Sequence, residues 1–121
     1  MKIERVRMRV LIGVLGLGLL AGCVSPADLE KNEPTIAAAT PKDPKTYALC
    51  VFPKWQAART DSAMVETSDG YRLWVAQSNM TDELLDIRRS GSGSAVTLKQ
   101  RLAWSPGLGR SAIEKAASDC L

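Results

Sequence analysis

An eleven-residue apolar run, Val10–Leu20, follows four basic residues (Lys2, Arg5, Arg7 and Arg9) at the start of this chain. The run is too short to cross a hydrocarbon core comfortably, and a basic stretch leading into such a run is the pattern of a secretory signal peptide. Residues 1–22 are therefore expected to leave the mature protein, and the charge asymmetry leaves with them. The full 121 residues carry 16 Lys+Arg, 13 Asp+Glu and no His, a formal charge of +3. Four of the basic residues and one acid lie before residue 23, so twelve of each remain and the rest of the chain is formally neutral. A nucleic-acid binder carries its basic footprint on the folded part, so no nucleic-acid partner is expected. Without His there is no Ser-His-Asp triad, no His general base and no His-ligated metal. The remaining length allows one small domain at most.

The apolar run ends in Leu20-Ala21-Gly22-Cys23. This segment resembles that of bacterial lipoproteins, whose lipobox reads Leu, small, small, Cys. The match covers roughly the first fifth of the chain, and its specificity lies in the order of basic run, apolar run and lipobox. The resemblance implies lipidation of the Cys23 thiol, recognition of Leu20, Ala21 and Gly22 by the lipoprotein signal peptidase, cleavage before Cys23 and acylation of the new amino terminus. One acyl chain binds a membrane only marginally, whereas two or three hold it stably, because each buried CH₂ contributes about 0.8 kcal/mol. The competing readings are an uncleaved anchor and an ordinary secretory signal with a chance Cys. In the sorting rule of enteric bacteria an Asp after the lipidated Cys favours the inner membrane. The residue here is Val24, which implies an outer-membrane address facing the periplasm.

Residues 23–44 contain Pro26, Pro34, Pro41 and Pro44 and sustain no period of 3.6 or 2, apart from a weak helical tendency at Ile36–Ala39. They read as a lipidated terminus and a Pro-rich tether; a flexible stretch of about 20 residues spans on the order of 25 Å. Residues 45–121 are then the globular domain. With Cys23 consumed by lipid, as the resemblance implies, Cys50 and Cys120 remain as an even pair in an oxidising compartment. A bond between them closes a loop of about 70 residues, for which chain entropy gives about 4 kcal/mol. Two free thiols or two metal ligands are the alternatives, but two Cys without His make a poor zinc site.

Lys45–Arg59 reads as a helix, with Tyr47, Cys50, Val51, Trp55 and Ala58 on one face and Pro53 predicting a kink or a late start. Ser62–Thr67 and Tyr71–Gln77 flank Ser68-Asp69-Gly70, a hairpin signal. Leu84–Arg89 reads as a third strand with Leu85 and Ile87 inward, although the capping-type residues Thr81 and Asp82 keep a short helix open here. Ser90–Ser94 reads as a loop. Ala95–Leu102 reads as a fourth strand, with Val96, Leu98 and Leu102 on one face. Trp104 precedes a turn and is placed at the sheet's end. Gly109–Leu121 ends in a helix whose apolar stripe is Ile113, Ala116, Ala117 and Cys120. Both cysteines fall on core-facing stripes, which supports their pairing. The expected architecture is α+β: a small four-stranded antiparallel sheet with two disulfide-linked helices on one face.

No catalytic constellation stands out, and neither a metal nor a cofactor is expected. Ser62 or Ser111 with Lys54 or Lys115 could form a Ser-Lys pair, but nothing in the sequence positions them. Asp82, Glu83 and Asp86 lack the alternating ligands and Gly of a calcium loop. Ser90-Gly91-Ser92-Gly93-Ser94 lacks the Gly-Lys-Ser/Thr of a phosphate loop. Arg88-Arg89 reads as a solvated edge, with contact to anionic lipid head groups as the alternative. Trp74 is the more informative residue. It points away from Leu73 and Val75, with Arg72, Lys99 and Arg101 nearby and Met64 expected on the same side. An exposed Trp flanked by cations suits a protein–protein hot spot; a Trp covered by the tether is the alternative. Two functions follow. The first is a non-enzymatic envelope lipoprotein, membrane-bound through Cys23, that binds a periplasmic or outer-membrane protein. The second is a small envelope hydrolase acting on peptidoglycan or lipid.

Overall fold

The computed structural model describes residues 24–77, 80–103 and 109–121. The lipobox, Cys23 and Trp104 lie outside the described residues. The elements in chain order are α1 (Pro26–Leu29), β1 (Ile36–Thr40), α2 (Pro44–Ala58), β2 (Ser62–Glu66), β3 (Gly70–Gln77), β4 (Met80–Ser90), β5 (Gly93–Gln100) and α3 (Arg110–Asp119). The five strands form one antiparallel sheet in the order β1-β5-β4-β3-β2. The expected four-stranded sheet with two helices is therefore corrected to five strands and three helices.

The extra strand comes from the segment read as tether. Ile36–Thr40 pairs with β5 from Ile36 opposite Leu98 to Thr40 opposite Ser94. Ala37-Ala38-Ala39 carries no alternation of polar and apolar side chains, because this strand is held by its backbone and by few side chains. The prolines sit where proline is tolerated. Pro26 and Pro44 open helices, where a missing N–H costs nothing, and Pro41 follows an edge strand. Gly93 is what lets β1 approach, since a Cβ there would stand 2.1 Å from the Thr40 carbonyl oxygen.

Helix α2 begins at Pro44 with Asp43 as its cap, the carboxylate accepting from the Thr46 N–H and hydroxyl. It runs through Pro53 to Ala58. Pro53 and Leu49, whose carbonyl would otherwise accept the proline's missing N–H, are both exposed, so water can replace the lost bond. The fourth residue of each turn faces inward: Tyr47, Ala48, Val51 and Trp55 are buried. Opposite them α3 buries Ile113, Ala116, Ala117 and Cys120. The sheet closes this core with Leu73 and Val75 of β3, Leu85 and Ile87 of β4, and Val96 and Leu98 of β5. Leu84–Arg89 belongs to a longer strand, Met80–Ser90, and the helical alternative falls away.

The two helices are joined three times. Cys50 and Cys120 form a disulfide with a Cα–Cα separation of 5.8 Å. The Tyr47 hydroxyl donates to the Ala117 carbonyl at 2.7 Å, and Trp55 Nε1 donates to the Ile113 carbonyl at 3.1 Å. The core aromatics thus bury their rings and satisfy their polar ends on the partner helix. Burial pushes the Tyr47 hydroxyl's pKa well above its usual value.

At the other end of β5 the sequence pattern fails. Leu102 was expected inward with Val96 and Leu98, but the strand stops at Gln100. Leu102 lies beyond it at φ 51°, 48% exposed, and Gln100 is buried instead.

Two outcomes follow from this packing. Reduction of the disulfide, or the Cys50→Ser/Cys120→Ser double variant, will lower unfolding free energy by about 4 kcal/mol in guanidinium titrations. Gly93→Ala will cost about 1–3 kcal/mol in the same assay, because the new methyl group must push β1 off β5.

Candidate functional site

The sheet has a second face, and the chain covers half of it with its own N-terminal segment. The Val24 carbonyl accepts from the Thr81 N–H at 2.9 Å, and Val24 bridges Met80 in parallel. Ser25 then caps α1: its N–H and hydroxyl bond the Asp28 carboxylate, which holds that carboxyl below the usual range. Helix α1 lies against β4. Leu29 of α1 and Leu84 of β4 are both buried and belong to no part of the main core. Strand alternation places Leu84 on the face opposite Leu85. Glu30 locks the lid at two points, its carboxylate accepting from Arg72 at 2.6 Å and its carbonyl from Lys99. Farther along, Asn32 donates to the Gln100 carbonyl, and the Thr35 N–H to that of Leu98.

This geometry sorts the residues singled out as a partner-binding group. Trp74 pairs with Leu84 on β4 and with Ala63 on β2, and it is half-buried. Arg72 is on the same face but is held between Asp86, at 2.7 Å, and Glu30. Lys99 is spent on the Glu30 carbonyl. Arg101 pairs with Asp82 at 2.7 Å. Met64 pairs with Leu73 and packs against the main core, so it lies on the face opposite Trp74. The residues that share Trp74's side of β2 are Ala63 and Val65, and Val65 is 46% exposed. Among the described residues, what remains open is therefore the β2–β3 half of this face, an apolar strip of Ala63, Val65 and Trp74 beside Arg72.

A second polar arrangement lies where β4 begins and β5 ends, and no motif in the chain announces it. The Glu83 carboxylate, 2% exposed, accepts from Arg110 Nε at 2.7 Å and from Gln100 Nε2 at 2.8 Å. Gln100 Nε2 also donates to Glu114 at 3.1 Å. Arg110 continues to the carbonyls of Leu102 and Arg101, each at 2.8 Å, and to that of Asp82. One guanidinium thus ties the first turn of α3 to the ends of two strands. Burial raises the Glu83 pKa, and the bonds from Arg110 and Gln100 only partly offset it. Nearby, Asp82 is shared by Arg101 and Arg59, and Arg59 also grips Asp61 at 2.9 Å.

The three clustered acids of the sequence consequently do not converge. Asp86 is held by Arg72, Glu83 by Arg110, and Asp82, at an irregularity in the β3–β4 pairing, by Arg101 and Arg59. Among the described residues no group of His, Cys, Asp or Glu could hold a metal ion. The Ser62 hydroxyl donates to the Arg59 carbonyl at 2.7 Å, and Lys115 pairs with Asp119 at 2.7 Å. Neither contact aligns a Ser with a Lys. The Ser90–Ser94 stretch is a tight turn at Gly91 and Ser92, and Ser94 donates to the Lys42 carbonyl. A recess of about 450 Å³ lies at this far end of the sheet, between Asp43–Lys45, the β2–β3 turn and Arg89. Its charges are mixed, and Asp43 is already engaged as a helix cap.

Among the described residues no helix is long and apolar enough to cross a membrane. Comparison with protein-family profiles, curated proteins and solved structures found no match.

Arg110→Met tests the buried network. The substitution strands the Glu83 charge, which costs about 3 kcal/mol or more at pH 7. A carboxylate whose pKa is higher in the fold than in the unfolded chain imposes no penalty below its unfolded pKa. Its penalty grows as the pH rises through the folded value. The stability deficit of the variant, measured by guanidinium unfolding, will therefore be larger at pH 7 than at pH 4.

Proposed function

We propose that this chain is a lipid-anchored, non-enzymatic envelope lipoprotein that presents a small stapled domain to a periplasmic or outer-membrane protein. The observation that carries the reading is the ordered series of basic run, apolar run and Leu20-Ala21-Gly22-Cys23. Val24 after the lipidated position favours the outer membrane over the inner. The Cys50–Cys120 disulfide supports an oxidising compartment.

The non-catalytic part of the reading is supported by how the polar groups are used. Asp82, Glu83 and Asp86 are each engaged by an arginine, and the Ser62 hydroxyl is spent on a backbone carbonyl. A general acid or a nucleophile needs its reactive atom directed at a substrate. The strip of Ala63, Val65 and Trp74 is the surface best suited to a protein partner, since half-buried aromatic groups at the centre of an apolar patch carry binding energy.

Mass spectrometry of the protein extracted from cell membranes tests the anchor directly. The expected product lacks residues 1–22, gains acyl mass at Cys23 and sediments with the outer membrane. Globomycin is expected to leave the longer precursor. An identical polypeptide with and without the inhibitor would remove the lipoprotein assignment.

A further inference from the structure

We propose that the bilayer is a fixed neighbour of this domain, resting against the end of the sheet that carries Val24, Gln77, Met80 and Leu102. The proposal builds on the lipoprotein reading and concerns what that anchor does to orientation. A lipoprotein domain on a flexible leader of some 20 residues would sample a span of about 25 Å above the membrane. Here the leader is part of the fold. Val24, one peptide bond after Cys23, is already hydrogen-bonded to Thr81. Ser25 is already a helix cap, and Leu29 is already buried. Consecutive Cα atoms are 3.8 Å apart, so no slack remains between the acylated residue and strand β4.

The strand register identifies the end that meets the lipid. Val24 bridges Met80, which pairs with Gln77 at the close of β3. The Arg101 N–H bonds the Asp82 carbonyl, which places Arg101 and Leu102 at the same end. Leu102 is nearly half exposed there, in a left-handed conformation that a leucine rarely adopts. Arg110 holds the carbonyls on both sides of that turn, so the apolar side chain is kept outside the core by a built contact. An exposed leucine at this position gains by meeting acyl chains. Electrostatics adds little, because Arg59, Arg101 and Arg110 at this end each face a carboxylate. The turn at Gly91 and Ser92 closes the opposite end. Strand β4 rises about 3.3 Å per residue, so this turn stands some 35 Å away along the strand.

The experiment uses acylated protein in vesicles containing doxyl-labelled lipid, with a fluorescent thiol label at Leu102→Cys or at Ser92→Cys. Gln77→Cys serves as a second position at the proximal end. Acylation is confirmed first by intact mass and by co-flotation with the vesicles. Failure at that step overturns the lipoprotein reading itself. With acylation established, strong quenching at positions 102 and 77 and its loss at 92 are expected. Equal quenching at the two ends overturns the orientation while leaving the anchor intact. Insertion of twelve Gly/Ser residues between Cys23 and Val24, a flexible span of about 20 Å, is expected to abolish the quenching at 102. Quenching that survives the insertion overturns the claim that the short connection holds the domain there. Replacing anionic lipid with neutral lipid is expected to leave the pattern unchanged; loss on that change overturns the assignment to anchor geometry.

Discussion

The covalent and hydrogen-bonded union of α2 with α3 is the constraint on which this fold depends. Four of the five strands lie between these helices in the chain. Joining Cys50 to Cys120 shortens the unfolded chain's freedom over 70 residues of separation. The Tyr47 and Trp55 bonds to α3 carbonyls then fix the helices' relative setting. A core of this size has little surplus stability once chain entropy is counted, so a staple across its longest loop has a disproportionate effect. It also explains why α3, a ten-residue helix too short to persist alone, can close the core at all.

The same economy appears on the sheet's other face. A single layer of helices would leave Leu84 and Trp74 in water. Residues 24–35 solve half of this by folding back over β4 and β5, with Leu29 inserted and Glu30 fastened to Arg72 and Lys99. Residues 36–40 then pair with β5 and give the sheet its fifth strand. The chain has no separate leader once it passes Cys23.

How much of this was legible in the sequence depended on which force built each element. Helices α2 and α3 and four strands owe their positions to burial, and burial writes a period: Tyr47, Val51 and Trp55 on α2; Leu73 and Val75 on β3; Ile113, Ala116 and Ala117 on α3. The disulfide was visible for the same reason, since both cysteines lie on such stripes. β1 owes its position to backbone pairing, and three successive alanines record nothing of that. Its flanking prolines read as a linker because composition does not distinguish a proline that breaks structure from one that begins a helix. Alternation placed Trp74 correctly opposite Leu73. Met64 was misplaced because the register of β2 against β3 is set by the hairpin, and a one-residue change of register exchanges the faces. The Glu83–Gln100–Arg110 network left no signal, because it joins three elements distant in sequence and uses residue types common on any surface.

Charge was similarly ambiguous until the strands were paired. Asp82, Glu83 and Asp86 form an acidic cluster along the chain, but in the fold each acid meets an arginine from another element. The cations that flank Trp74 in the sequence are engaged as well, Arg72 and Arg101 by carboxylates and Lys99 by the Glu30 carbonyl. Among the described residues, the strip of Ala63, Val65 and Trp74 is the part of the second face that the N-terminal segment leaves uncovered. That strip borders the edge strand β2, whereas the N-terminal segment starts beside β4 at the sheet's centre. If Cys23 carries the lipid, one segment serves both to close the fold and to connect it to the membrane. Any pull on the anchor is then borne first by the Val24–Thr81 hydrogen bond and the buried Leu29, and a partner at the β2 edge would meet a domain whose attitude is set by its own folding.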